Sequence, residues 1–187
     1  MKNIRAKAIL DFWFIDSNPK DHFKKDKNFD KKIKDNFETD YLKAINNELE
    51  EWQDEPESCL ALIILLDQFS RNLNRESARA FSQDYKARLI VNEAIDRGDL
   101  EILNLNQILF LLLPLIHSED ISDHIFAHKL CETYLLNHPY YDEIKKSWNE
   151  HTSIIKKFNR YPYRNKILLR NVTEQEKIFL SKSGSSW

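Results

Sequence analysis

The chain has 187 residues, and its 28 Lys and Arg nearly balance its 30 Asp and Glu. A net charge of −2 gives no reason to expect a general polyanion binder, and the longest apolar runs, 60–66 and 108–116, are too short to span a bilayer. The length and the 42% hydrophobic content suit one domain, which we expect over residues 1–182, followed by a loose tail at 183–187.

Helical periodicity covers most of the chain, because only 2 Gly and 5 Pro interrupt long stretches rich in Leu, Ile, Lys and Glu. Lysines and aspartates mix along 20–35, which is typical of a solvated helix face. The sequence therefore predicts seven or eight helices and no strands. They are expected near residues 3–15, 29–49, 58–74, 78–97, 105–116, 119–135, 139–158 and 174–182, with an irregular segment at 159–172.

Single residues mark several of the expected helix ends. Ser77 and Ser118 are each placed to cap the helix that follows, and Gly98 stands where a C-terminal glycine belongs. Pro114 should kink or end the helix in which it lies, because its ring removes one hydrogen bond. Thr173 begins the sequence Thr-Glu-Gln-Glu, which predicts a capping box.

Helices joined by short connections pack as antiparallel pairs. The spacing of these pairs, roughly 35 to 40 residues, fits a tetratricopeptide-like array. Since no clear internal repeat accompanies it, the residues alone leave a helical bundle equally open.

The two cysteines, Cys59 and Cys131, both lie in amphipathic segments. We expect reduced core thiols rather than a disulfide. The start of the chain also lacks the long apolar core of a signal peptide. Together these features predict a cytoplasmic protein.

The first of three polar clusters that follow apolar runs lies at the end of the stretch 60–72. Its first seven residues are all apolar, and Asp67, Gln68, Arg71 and Asn72 come next. Asp67 and Arg71 share one helix face, so they can form a self-neutralising structural ion pair. Alternatively, Arg71 faces a cavity and Asp67 orients its guanidinium.

The second cluster is His-Ser-Glu-Asp at 117–120, directly after the run that contains Pro114. Helix capping alone explains these residue types. His117 and Glu119 are also candidate catalytic residues, since the pair could act as a general acid and base.

A possible metal site lies just beyond this cluster. Asp120, His124 and His128 recur at intervals of four residues, a spacing that can hold a metal on a helix face. A solvated helix face explains the same spacing, and we expect neither a metal nor another cofactor.

The third cluster is Phe-Asn-Arg-Tyr-Pro-Tyr-Arg-Asn at 158–165, within a segment from 151 to 173 that holds six Lys or Arg and no acid. These residues could form structural ion pairs, line a pocket for a small anion, or bind single-stranded nucleic acid. Its candidate ligand-binding residues are Arg160, Tyr163, Arg164 and Asn165.

Taken together, the motifs resemble those of the DUF924 family of bacterial-type proteins. The resemblance covers nearly the whole chain, and it implies a tetratricopeptide-like helical superhelix but no particular activity. The motifs that carry it are Leu-Asp-Phe-Trp-Phe at 10–14, Leu-Leu-Asp-Gln-Phe-Ser-Arg-Asn at 65–72, Phe-Ser-Gln-Asp at 81–84, His-Ser-Glu-Asp at 117–120, the third cluster at 158–165 and Thr-Glu-Gln-Glu at 173–176.

The chain departs from the family pattern at a few positions. Proline is usual where Ser70 stands, and the third cluster usually reads Phe-Gly-Arg-Phe-Pro-His-Arg-Asn. Asn159 tolerates the left-handed backbone that the glycine would supply. Tyr163 replaces the histidine, and the retained arginines therefore favour anion recognition over acid–base work in this loop.

We expect the three clusters to converge in one pocket that binds a small anionic metabolite or a peptide. In the enzymatic version, a hydrolase or transferase acts on an acidic metabolite through His117 and Glu119. The alternatives are a scaffold whose concave helical surface binds a peptide, and RNA binding through residues 151–172. The expected pocket residues are Asp67, Arg71, His117, Glu119, Arg160 and Arg164.

Overall fold

A computed structural model describes residues 3–22 and 24–182. This part of the chain is helical and contains no strand, which confirms the all-α prediction. The expected tail at 183–187 lies outside the described residues, and the single domain stays a prediction. The helices are α1 (Ile4–Asp11), α2 (Lys27–Ile45), α3 (Pro56–Ile64), α4 (Ser70–Leu73), α5 (Asp84–Arg97), α6 (Leu105–His117), α7 (Ile121–Tyr134), α8 (Tyr141–Phe158) and α9 (Glu174–Leu180).

Two π-helical turns widen the helical path. Phe12–Asp16 extends α1, and Leu65–Phe69 joins α3 to α4. The helix predicted at 58–74 is therefore a continuous helical path with one wide turn in its middle. That turn carries the acidic residue of the first polar cluster.

The core is built around α3, which is apolar on all sides from Cys59 onwards. The side chains from Cys59 to Leu66 are each at most 1% exposed. Aromatic rings close one side of this core, with the centre of the Trp13 ring 5.5 Å from those of both Phe69 and Phe110. Burial of this kind stabilises the fold by about 1.5–3 kcal/mol for each large apolar side chain.

The packing of α6 decides where the polar clusters meet. This helix packs against α3, α5 and α7, and α7 in turn packs against α8. The C-terminal end of α6, with His117, is thereby held near the π turn that follows α3. From α5 to α8 each helix packs against the next, whereas α1 packs against α3 and α2 against α4. The tetratricopeptide-like superhelix stays a prediction.

The cap of α7 differs from the sequence prediction. Asp120, not Ser118, is the N-cap, since its carboxylate accepts the backbone N–H of Ser122 at 2.9 Å. The Ser118 hydroxyl instead accepts the N–H of Asp120 and donates to Asp123. Ser118 is the C-cap of α6 and lies two residues before Asp120, too far from the first turn of α7 to cap it.

Other predicted ends also shift. Helix α2 stops at Ile45, short of the predicted end near residue 49, and α6 continues past Pro114 to His117. Ser77 caps a short 3₁₀ turn, Ala78–Phe81, rather than α5.

Three of the predicted helix-end features are confirmed. Gly98 ends α5 with φ of 88°, and Asn159 ends α8 with φ of 54°. Both are left-handed, a conformation that glycine adopts freely and asparagine tolerates. Thr173 and Glu176 form the predicted capping box of α9.

Both cysteines are free and buried, as predicted. Separately, none of the described helices combines the length and the apolar character needed to cross a membrane.

Candidate functional site

The π turn Leu65–Phe69 positions the acid at the centre of the site. The backbone N–H of Ser70 donates to the carbonyl of Leu65 and closes the wide turn. The Ser70 hydroxyl donates to the carbonyl of Arg79 at 3.2 Å. Single π turns inside α-helices recur at functional sites, and this one directs Asp67 towards the end of α6.

Asp67 is 1% exposed and is held by three side chains. Its Oδ1 lies 2.8 Å from Nδ1 of His117 and 2.9 Å from Nη1 of Arg71, and its Oδ2 accepts Nε2 of Gln68 at 2.5 Å. Burial alone would raise the pKa of Asp67, but the charges of Arg71 and His117 hold that pKa well below its usual range. The carboxyl is therefore ionised.

An ionised carboxylate fixes the tautomer of His117. Because the carboxylate can only accept, Nδ1 of His117 must carry the hydrogen that points at Asp67. When the ring is neutral, Nε2 is left as the bare nitrogen. His117 lines the groove described below, so the basic nitrogen belongs to a groove side chain.

Asp84 joins the first cluster to the third. Its two oxygens accept Nη2 of Arg71 at 3.0 Å and Nη1 of Arg164 at 2.9 Å. Arg164 also donates to the backbone carbonyl of His117, and its guanidinium lies 4.4 Å from the centre of the Phe81 ring. Asp84 ends the Phe-Ser-Gln-Asp motif at 81–84, but nothing in the sequence indicates its role as a bridge.

Glu119 makes the second bridge to the irregular segment. It accepts the backbone N–H of Tyr161 at 2.9 Å and a two-pronged ion pair from Arg170. Burial would raise the pKa of Glu119, but the hydrogen bonds from Arg170 and Tyr161 lower it below its usual value. Glu119 is therefore a carboxylate that anchors Arg170, a residue that the sequence analysis did not select.

A fourth arginine, Arg88, approaches from α5. Nη1 of Arg88 donates to Asp123 at 2.7 Å and to the hydroxyl of Ser118 at 3.2 Å. The carbonyl of Ser118 accepts Nε2 of His124. Sequence reasoning also missed Arg88, because an arginine on an amphipathic helix carries no local signal.

Part of this network lines an open groove with a volume of about 350 Å³, while Asp67 and Arg71 lie outside the lining. One part of its lining is charged or polar, and the other is apolar. The lining residues are Ala78, Phe81, Ser82, Asp84, Tyr85, Arg88, His117, Ser118, Glu119, Arg164, Leu168 and Arg170.

One expected pocket residue, Arg160, and two other candidate ligand-binding residues lie elsewhere. Arg160 donates to the buried carboxylate of Glu176, and Asn165 donates to the same carboxylate at 3.1 Å. Asn72 donates to Asp30 at 2.9 Å. The structure thus brings together Asp67, Gln68, Arg71, His117, Glu119 and Arg164, and it places Arg160, Asn72 and Asn165 in other contacts.

Tyr163 lies behind the groove rather than along it. Its ring centre is 5.3 Å from that of Tyr161, and burial raises its pKa. The hydroxyl of Tyr161 donates to the carbonyl of Ile116, so this aromatic pair supports the end of α6 from the third cluster.

The histidines considered as metal ligands contact a threonine instead. His124 and His128 both lie within hydrogen-bond distance of the hydroxyl of Thr152, at 3.1 and 2.9 Å. Within residues 3–22 and 24–182, no group of three or more His, Cys, Asp or Glu side chains is placed to hold a metal ion.

Comparisons with known proteins add a family and a fold. A family model described as a bacterial protein of unknown function, DUF924, matches residues 9–184. The chain is also similar to a solved structure, a protein of unknown function called ATU0120 from Agrobacterium tumefaciens. Identity is 36%, coverage is 94% of this chain and 96% of that chain, and the TM-score is 0.84. No curated protein matches the chain.

Proposed function

We propose that this chain, which belongs to the DUF924 family of bacterial proteins of unknown function, binds a small molecule with an anionic group in the groove and transfers a proton through His117. The observation that supports this most directly is the 2.8 Å contact between Asp67 and His117. A buried carboxylate that fixes Nδ1 of a groove histidine leaves Nε2 for a ligand.

Binding of an anion is supported by the arginines of the lining. Arg88, Arg164 and Arg170 each have part of the guanidinium fixed by a neighbouring carboxylate. Guanidinium groups match carboxylate and phosphate groups well, and donors that are already fixed lose little freedom when a ligand arrives.

The chemistry follows from the Asp67–His117 pair. A histidine whose Nδ1–H is held by a carboxylate can take a proton at Nε2, and the carboxylate then stabilises the imidazolium that forms. A hydrolase or transferase acting on an acidic metabolite would use this step to activate water or an alcohol. In this scheme Glu119 positions Arg170, and it has no direct role in proton transfer.

The alternative is a structural role for the clusters in a helical scaffold. One observation favours it, since each of Arg71, Arg88, Arg164 and Arg170 already pairs with a carboxylate. RNA binding has less support, because the rings that would stack on bases are not free: Tyr161 is fully buried, and Tyr163 is partly buried against it.

A thermal-shift screen separates ligand binding from bracing. The full chain is heated with small carboxylates and phosphate monoesters, and a ligand that binds the native state raises the melting temperature. Arg170→Gln should abolish the rise. The matched control is Arg75→Gln, since both arginines are 30% exposed and each pairs with one acid, but Arg75 pairs with Asp30 away from the groove lining.

Two outcomes would contradict the proposal. If no small anion raises the melting temperature, the clusters only brace the fold. If a compound raises it equally in both arginine variants, that compound binds elsewhere. For a compound that does bind, His117→Gln should keep the shift and stop its turnover, followed by mass spectrometry.

A further inference from the structure

The groove has an apolar part that proton transfer does not use. Ala78, Phe81, Tyr85 and Leu168 line it beside the arginines. Tyr85 remains 65% exposed, so most of a large aromatic ring is available to a ligand. A lining with both apolar and fixed polar groups is the usual composition of a small-molecule site.

Arg88 connects the two parts of the lining. Its guanidinium carbon lies 5.2 Å from the centre of the Tyr85 ring, while its Nη1 is fixed by Asp123 and Ser118. A fixed cation therefore lies next to an exposed ring. A ligand that contacts both must carry an anionic head close to a flat apolar body.

The charge around the groove limits the charge of that head. Among the described residues, four arginines form ion pairs with four carboxylates here, so the cluster is neutral when His117 is neutral. A monoanion adds one negative charge to this neutral cluster, whereas a dianion adds two. Since charge without a partner is costly away from bulk water, the groove favours the monoanion. The paired groups are Arg71, Arg88, Arg164 and Arg170 with Asp67, Asp84, Glu119 and Asp123.

We propose that the groove binds a carboxylate of single charge joined to a flat apolar body, of the arylalkanoate class. Arg88 and Arg170 contact the carboxylate, and the body lies against Tyr85 and Leu168. A groove of about 350 Å³ is at the small end of the range for ligand sites, which suits a compound of this size. The inference rests on the proposed function and narrows its ligand.

Four probes test it by calorimetry on the full chain at pH 7.5. They are 3-phenylpropionate, acetate without the ring, 3-phenylpropanamide without the charge, and phenyl phosphate, which is mainly a dianion at this pH. We expect 3-phenylpropionate to bind at least tenfold more tightly than each of the other three.

Two tyrosines of nearly equal exposure provide a matched pair of variants. Tyr85 is 65% exposed and lines the groove, whereas Tyr140 is 64% exposed and lies outside the lining. Tyr85→Ser should weaken binding of 3-phenylpropionate at least fivefold and leave acetate unchanged. Tyr140→Ser should change neither.

The outcomes distinguish this inference from the proposed function. If acetate binds as tightly as 3-phenylpropionate and Arg170→Gln abolishes the binding of both, anion binding in the groove is supported and the proposed apolar contact is wrong. Tighter binding of phenyl phosphate overturns the single charge. If none of the four probes binds but another anion in the thermal screen does, this inference fails alone. If nothing binds in either experiment, both proposals fail.

Discussion

Nδ1 of His117 lies 2.8 Å from Oδ1 of Asp67, although 50 residues separate the two in the chain. The contact exists because α6 packs against α3 and because the π turn after α3 carries Asp67. Arg71 approaches the same oxygen from one helical turn away. A buried carboxylate that pairs with two cationic or ionisable groups should make a large contribution to the free energy of unfolding.

We therefore expect Asp67→Asn to destabilise the protein strongly. The amide keeps the size of the side chain but removes its charge, which leaves Arg71 without one of its two partners. Loss of one member of a buried ion pair costs about 3–5 kcal/mol, and the solvent contact of Arg71 reduces this to about 2–4 kcal/mol. Urea unfolding of the full chain measures the difference.

The comparison variant for this experiment is Asp35→Asn, whose pair with Lys31 is exposed and should contribute less than about 1 kcal/mol. Equal unfolding free energies for the two variants would show that the buried pair is not formed in solution.

A second prediction concerns stability between pH 4 and pH 7. Burial lowers the pKa of His22 and of His151 to about 4, below the ordinary histidine value near 6.5. Between these two values the unfolded chain binds more protons than the native protein. The free energy of unfolding is therefore undiminished by these two histidines above pH 6.5, and it decreases as the pH falls towards 4.

His151→Gln should flatten this pH dependence. His151 is 9% exposed and lies edge-on to Tyr161 with ring centres 5.9 Å apart, so its shift corresponds to a loss on the order of 2 kcal/mol across the window. Urea unfolding at pH 7, 6, 5 and 4.5 gives the slope for each protein. An identical slope in the variant would mean that His151 protonates at its ordinary pKa in the folded state.

The sequence predicted the local part of the site better than the long-range part. Asp67 and Arg71 are four residues apart on one helix, so their pairing follows from helical spacing alone. The partner of Asp67 on α6 does not, because helical periodicity does not say which helix ends meet. Asp84 and Arg170 were missed for the same reason, since each acts through an ion pair with a residue of a distant segment.

A third prediction concerns Arg160, which the sequence analysis placed in the pocket. Its guanidinium instead binds Glu176 and the carbonyl of Asn171, and it thereby ties the start of α9 to the irregular segment. Arg160→Gln should lower the melting temperature by a few degrees, since the buried Glu176 loses its cationic partner. It should leave the binding of any groove ligand unchanged.

Scanning calorimetry and ligand titration of this variant give the two readouts separately. If the variant binds a groove ligand more weakly and its melting temperature is unchanged, Arg160 contributes to ligand binding and this prediction is wrong. The comparison variant is Arg170→Gln. Because Arg170 lines the groove, we expect this variant to weaken ligand binding more than it lowers the melting temperature.

The last prediction tests the tautomer of His117 without any ligand. Asp67 is ionised because Arg71 and His117 hold its pKa well below the usual range, and a carboxylate accepts hydrogen bonds but donates none. Neutral His117 should therefore carry its hydrogen on Nδ1, with Nε2 bare. Long-range ¹⁵N–¹H NMR spectra of the imidazole at high pH distinguish the two tautomers. In Asp67→Asn the amide can donate to Nδ1, so the hydrogen should move to Nε2 in a measurable fraction of molecules. A wild-type ring that carries its hydrogen on Nε2 would contradict the arrangement, and it would remove the basic nitrogen on which the proposed proton transfer depends.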